Sequence, residues 1–260
     1  MGQEAEWTKA EEAKWKQQIK ELFASKLSEA YAQYRDPLEV GNHLGEILRS
    51  VELDAVRLVV PRAARKWASA ENRDLWEEIL RDEQKLIELR VIGTSVANTL
   101  RPLAGNTFAQ WVADVLNTIF QQRGLPLICF TSGEVKQRLA IALVVRASAE
   151  GQEIDYKPDL DIVIVDTRSN KPIAILSAKT TLAERVMQTI NWKRFRDQLP
   201  GEIRSIRIFL VTAWETFGSE SANRNRVQEL DGVYVCNTEA NWYGNIKPFS
   251  ALVEDLERLL

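Results

Sequence analysis

Residues Tyr156–Arg196 read YKPDLDIVIVDTRSNKPIAILSAKTTLAERVMQTINWKRFR. Pro158 precedes a strand over Leu160–Val165, and its leading carboxylates, Asp159 and Asp161, stand two positions apart. In an extended chain such residues share a face. The apolar run Ile162–Val165 turns at Asp166–Lys171 and returns through Pro172 to Lys179, strand-like over Ile173–Leu176. In an antiparallel hairpin the start of the first strand lies beside the end of the second. Asp159 and Lys179 are therefore predicted neighbours. A carboxylate oxygen is a hard ligand suited to Mg²⁺, and a lysine beside it can orient or help deprotonate a water. Each of these residues alone fits a solvated strand end, but their joint spacing suits phosphodiester hydrolysis.

Composition narrows the alternatives. The chain has 260 residues, long enough for one large domain or two unequal ones, and its 45% hydrophobic and 27% charged content is globular. His43 is the only histidine, so a His-bearing triad, a two-His metal motif or an HNH-type site would have to depend on it. Cys129 and Cys236 cannot build a structural zinc site alone and do not suggest a secreted disulfide scaffold. The N-terminus alternates charge with apolar residues, unlike a signal peptide, and no apolar run approaches the length of a membrane span. A reducing, cytoplasmic setting is the expectation. The net charge of −3 comes from positions 1–90, with 15 basic and 18 acidic residues. Positions 179–207, by contrast, hold seven basic residues against three acidic ones, a local excess of the kind phosphate contacts require.

The flanking segments divide the chain into a helical N-terminal domain over 1–95 and an α/β domain over 96–260. Trp7, Ala10, Trp15, Ile19, Leu22, Phe23 and Leu27 recur at helical spacing, and Leu44, Ile47, Leu48 and Val51 resume it after Asp36-Pro37. Pro61 is expected to break the pattern, and a charge-rich helix follows over Glu71–Arg90. The tryptophans here read as core or subunit packing. Gly105-Asn106-Thr107 reads as a capped start to a helix over Phe108–Phe120, with Gln110, Asp114 and Asn117 as its polar stripe. Further strands are expected at Leu125–Phe130, Ala140–Val145, Ile206–Thr212 and Val233–Cys236. Helices are expected over Gln188–Arg196, starting near Leu182, and over Pro248–Leu260.

Pro158-Asp159 followed by Ser177-Ala178-Lys179 resembles the PD-(D/E)xK nuclease signature, and the continuation Thr180-Thr181-Leu182-Ala183-Glu184-Arg185-Val186 narrows the resemblance. It is similar to the S/C-x-K-T-[ST]-L-R-E-R block of type II restriction endonucleases, in the CCGG- or CCWGG-reading branch that includes BsaWI-like enzymes. The Gly105–Val112 stretch is similar to the helix that opens their catalytic core. The resemblance covers about positions 100–235 and implies a restriction-endonuclease-like α/β core, a mixed central sheet flanked by helices, behind the helical N-terminal domain.

It also implies residue roles. Asp159 would bind Mg²⁺ with the main-chain carbonyl of Ala178, and Lys179 would position the attacking water. Ser177 stands where the signature has an acid, a substitution typical of a branch that recruits a carboxylate from elsewhere; Asp161, Asp114 and Glu134 are candidates. Glu184 and Arg185 would read bases at the start of a helix, since Arg bonds guanine O6 and N7 and Glu accepts from cytosine N4. Ala183 replaces the first Arg of the block, removing one such contact. Thr180, Thr181, Lys193, Arg194 and Arg196 would hold the DNA backbone, and Asn223–Arg226 form a second polar cluster. The implied protein is a prokaryotic homodimer or higher oligomer acting on palindromic double-stranded DNA, paired genetically with a cognate DNA methyltransferase. A repair, recombination or defence nuclease without a fixed target, and a non-catalytic DNA-binding protein on the same core, are the competing readings.

Overall fold

The computed structural model of the chain describes residues 9–67, 104–133, 145–149, 152–156, 160–180, 186–199, 201–213, 225–238 and 244–260. The chain divides into two compact units: Met1–Glu29 with Ile47–Ala104, and Ala30–Glu46 with Gly105–Leu260. The expected boundary near 95 and the expected helix over Glu71–Arg90 lie outside the described residues.

In the first unit, helix α1 (Lys9–Tyr34) buries Trp15, Ile19 and Phe23 at four-residue spacing, one stripe of a helix with 3.6 residues per turn. Helix α3 (Leu44–Trp67) buries Val51 and Ala55 in the same way. Lys26 of α1 reaches Asp54 of α3 at 3.7 Å. Pro61 does not end α3, contrary to the expectation. Its fixed φ is helical, and proline removes only one hydrogen bond from the ladder.

The second unit is built on a six-stranded mixed sheet in the order β1-β4-β5-β6-β7-β8. Its strands are β1 (Leu127–Phe130), β4 (Ile162–Asp166), β5 (Lys171–Lys179), β6 (Arg207–Thr212), β7 (Gly232–Val235) and β8 (Ile246–Pro248). The first three pair antiparallel, and β5 through β8 are parallel. Ile162–Val165 and Val233–Val235 are buried throughout, the continuous apolar pattern of strands covered on both faces.

Helix α4, described over 104–123, buries Phe108, Trp111, Val112, Val115, Leu116 and Ile119, the face its spacing predicts. It is already helical at Ala104, so Gly105–Thr107 is not its cap. Its polar stripe serves the sheet edge: the Asn117 amide accepts from Cys129 N–H at 2.7 Å and donates to Cys129 C=O at 3.3 Å. That closes the unpaired side of edge strand β1 at this residue.

Helix α5 (Val186–Gln198) bridges parallel strands β5 and β6, followed by the short α6 (Glu202–Ser205). Val186 and Ile190 of α5 pack with Leu210, Val233 and Val235. Helix α7 (Ser250–Glu257) closes the chain. The final helix was expected from Pro248, but Pro248 ends β8, where a proline costs little at a sheet edge. Asn42 of α2 (Pro37–Asn42) caps α7 by accepting from Ser250 N–H at 3.1 Å. Gly45 N–H donates to Cys236 C=O at 2.8 Å, and a Cβ at Gly45 would collide with the Ala213 and Cys236 carbonyls, so this approach requires glycine.

A separate antiparallel pair, β2 (Val145–Ala149) with β3 (Gln152–Tyr156), was not expected from the sequence beyond Val145, the last residue of the predicted strand Ala140–Val145. Among the described residues no helix is long and apolar enough to cross a membrane.

Candidate active site

The hairpin forms as its residues require. The β4–β5 ladder pairs Ile162 with Leu176 and Asp166 with Lys171, with a register shift between Ile164 and Val165. The turn 167–170 holds Asn170 at φ 52°, a left-handed conformation that asparagine tolerates. Asp166 accepts from Arg168 and Ser169 across this turn, and the Arg168 hydrogen bonds hold its carboxyl below the usual range.

Asp161 is the residue just before β4, and its carboxylate is the centre of the site. The Lys179 ammonium donates to Asp161 Oδ2 at 2.8 Å, as does Ala178 N–H at 2.8 Å. Ser177 Oγ lies 3.5 Å from the same oxygen. The Lys179 side chain is only 5% exposed and that of Asp161 18%, so the pair is nearly removed from water. The ladder ends one residue earlier, and Asp161 takes the Ala178 N–H that a longer β4 would have engaged through its backbone.

In a strand the N–H and C=O of one residue project to the same side. The Ala178 carbonyl therefore points toward the β4 side, next to Asp161. The Lys179 backbone faces the other way, where its carbonyl accepts from Ala213 N–H at 3.2 Å.

The predicted site residues are distributed unevenly around this centre. Ser177, Ala178 and Lys179 are buried at the end of β5, with Thr180 following them half-buried. Asp159, Thr181, Glu184, Arg185 and Glu134 lie outside the described residues, as do Asn223 and Arg224; Asn225 and Arg226 are exposed. Asp114 accepts from Gln110 at 2.8 Å on α4, and Gln110 accepts in turn from Thr131 at 2.8 Å.

The basic residues of α5 differ from one another. Arg196 is 3% exposed, and its guanidinium donates to Ile206 C=O and to Asp231 at 3.1 Å. It also pairs with Asp197 at 2.7 Å. Arg196 is thus a strut inside the fold, and the phosphate contact expected of it is corrected here. Lys193 pairs with Asp197 at 3.0 Å, and exposed Arg194 makes a two-pronged pair with Glu229 at 2.8 Å in both contacts.

The Asp231 contacts, spaced 35 residues from Arg196, carry no local sequence signal. Arg196→Ala should cost about 3 kcal/mol by urea unfolding, as removing one member of a buried pair does. Arg194→Ala should leave the unfolding midpoint unchanged.

Both thiols are buried. Burial pushes Cys129 and Cys236 well above the usual thiol range, with Asp114 and Glu46 adding to it respectively. Neither should react with DTNB until urea unfolds the protein, because only the thiolate is nucleophilic.

Among the described residues no three His, Cys, Asp or Glu side chains converge to hold a metal. The donor set at Lys179 still suits a hard cation in kind, since Asp161 and the Ala178 carbonyl offer oxygen and no sulfur or imidazole competes.

A mixed sheet carrying a carboxylate and a lysine at adjacent strand ends defines a restriction-endonuclease-like nuclease core. Residues 133–255, just under half of the chain, match the family model described as BsaWI restriction endonuclease type 2. This segment is accordingly the domain of a type II site-specific endonuclease. A similar solved structure is that of the restriction endonuclease PspGI–substrate DNA complex, at 14% identity and a TM-score of 0.46 over 92% of each chain. No curated protein matches the sequence.

Proposed function

We propose that the protein cleaves both strands of duplex DNA at a short palindromic G·C-containing site, centred on CCGG, in a prokaryotic restriction–modification system. The observation that carries this reading is the Lys179–Asp161 contact of 2.8 Å at the ends of β5 and β4. Asp161 is assigned here the metal-ligand role that the sequence resemblance gave to Asp159, because its carboxylate meets Lys179 at 2.8 Å.

Mg²⁺, held by Asp161 and the Ala178 carbonyl, would neutralise charge building on the scissile phosphate. Lys179 orients the attacking water and holds its proton-bearing side toward Asp161. Water exclusion around the pair strengthens both interactions. Glu184 and Arg185 precede the first residue of α5 and would read bases, while Thr180, Thr181, Lys193 and Arg194 would contact the backbone; exposed Arg194 can exchange Glu229 for phosphate at little cost. A palindrome requires a two-fold symmetric reader, hence a homodimer or a higher oligomer. A cognate DNA methyltransferase would protect the host site.

The test is incubation of a mixed-sequence plasmid with the protein and Mg²⁺, followed by sequencing of the fragment ends. One motif at every end supports the proposal. Random ends would instead establish a nuclease without a fixed target, and binding without cleavage a degenerate core.

A further inference from the structure

Strands β2 and β3 stand apart from the six-stranded sheet, and among the described strands neither pairs with a third. They pair antiparallel over all five residues, from Val145 with Tyr156 to Ala149 with Gln152. A lone two-stranded ribbon is marginal in water, and further strands or a covering helix must support it. Each outer edge of such a ribbon is a template for another strand.

The two edges differ in what they can accept. A two-fold axis perpendicular to the ribbon sets a strand antiparallel to its own copy, with one residue opposite itself. For β2, VRASA, the register that pairs all five residues centres on Ala147. Val145 then stands opposite Ala149 of the second copy and Arg146 opposite Ser148, with no like charges face to face. For β3, QEIDY, the same register centres on Ile154 and sets Glu153 opposite Asp155 twice. Like charges directly opposite are destabilising. The β2 edge is therefore compatible with its own copy and the β3 edge is not.

We propose that β2 joins β2 of a second copy across a two-fold axis, making a four-stranded sheet in the order β3-β2-β2-β3. The acids of β3 then form both outer edges and oppose further addition, so the assembly closes as a dimer. The interface rests on the homodimer reading above and gives that dimer its surface. Its place suits the cleavage reaction. Residues 157–160 alone separate β3 from Asp161, so at most about 18 Å of chain joins the ribbon to the site. The two active sites then lie on either side of one axis, as the two strands of a palindrome require.

The experiment uses cysteines placed on the ribbon, where buried Cys129 and Cys236 do not compete. Ala147→Cys sets the new thiol opposite its own copy. Directly opposed strand residues have Cα atoms about 4.5–5.5 Å apart, within disulfide range. Mild oxidation should convert most of Ala147→Cys to a linked dimer on a non-reducing denaturing gel, while Ile154→Cys stays monomeric. Sedimentation over a dilution series then compares Ser148→Arg with Ser148→Asp. Arg would oppose Arg146 on both sides of the axis and should weaken the dimer severalfold, whereas Asp should tighten it severalfold. Damage to the fold would weaken both variants alike, so opposite signs separate pairing from folding.

A wild-type protein that stays monomeric at micromolar concentration would overturn the proposal. So would a dimer in which Ala147→Cys stays unlinked, or in which Ile154→Cys links as readily. A shift in the same direction for the two Ser148 variants would overturn it as well. The endonuclease reading is judged separately: a wild-type protein that cuts no plasmid, with Ala147→Cys linking as expected, would overturn that reading and leave the interface standing.

Discussion

Lys179→Ala should slow single-turnover cleavage of a target-bearing plasmid by at least about 10²-fold, the lower bound for losing a positioned proton-handling group. The Lys179 ammonium is buried at the end of β5 and bonds Asp161 at 2.8 Å, so no solvent cation can replace it from outside. Truncation also leaves the Asp161 carboxylate without its counter-charge, which lowers stability. Lys179→Met separates the two effects, since it keeps the packing volume and loses the charge. Both variants should retain DNA binding in Ca²⁺. A Lys179→Met protein that folds and cuts at the wild-type rate would remove the lysine from the mechanism.

The second large effect concerns the two acids that precede β4. Asp161→Asn should reduce cleavage by roughly 10³-fold, comparable to losing a principal electrostatic stabiliser of the transition state. Asp159→Asn should reduce it far less. Asn at 161 still accepts hydrogen bonds from Ala178 and Lys179, so the fold is kept while the charge that would attract Mg²⁺ is lost. Cleavage by Asp161→Asn at increasing Mg²⁺ is the measurement, and no concentration should restore the wild-type rate. If Asp159→Asn proves the inactive variant and Asp161→Asn cuts normally, the metal-ligand assignment moves two residues upstream.

Much of the β4–β5 hairpin is legible in its own residues. Ile162–Val165 and Pro172–Lys179 are runs separated by a turn, and both became strands. The first lies within two residues of its predicted limits, and the second extends two residues before and three beyond the predicted Ile173–Leu176. The apolar face of α4 was equally plain, because Phe108, Trp111, Val112, Val115 and Leu116 repeat at helical spacing. Where the pattern was weak, the reading failed. Strand β3, QEIDY, is mostly polar, and β8 is only three residues long, so neither carries a periodic signal. Their pairing partners supply the backbone hydrogen bonds that propensity does not.

The choice between Asp159 and Asp161 shows where local reading stops. Both share a face in an extended chain, and the hairpin spacing points to Asp159 as the neighbour of Lys179. The choice depends on where β4 begins and on which carboxylate the Lys179 side chain reaches, and the described geometry connects Lys179 to Asp161. The basic run Lys193–Arg196 shows the same limit. Arg196 looks like its neighbours until Asp231 and the Ile206 carbonyl, contributed by later segments, enclose it.

Periodicity and turn residues are properties of neighbouring positions, so the amino-acid order alone was sufficient for the hairpin and the buried helix faces. Partner choice belongs to residues brought together from distant positions. Only the folded chain decided that Asp161 meets Lys179 and that Arg196 is a buried strut. A hydrogen bond or ion pair is specified by position to a fraction of an ångström, and that precision arises from packing across the sheet.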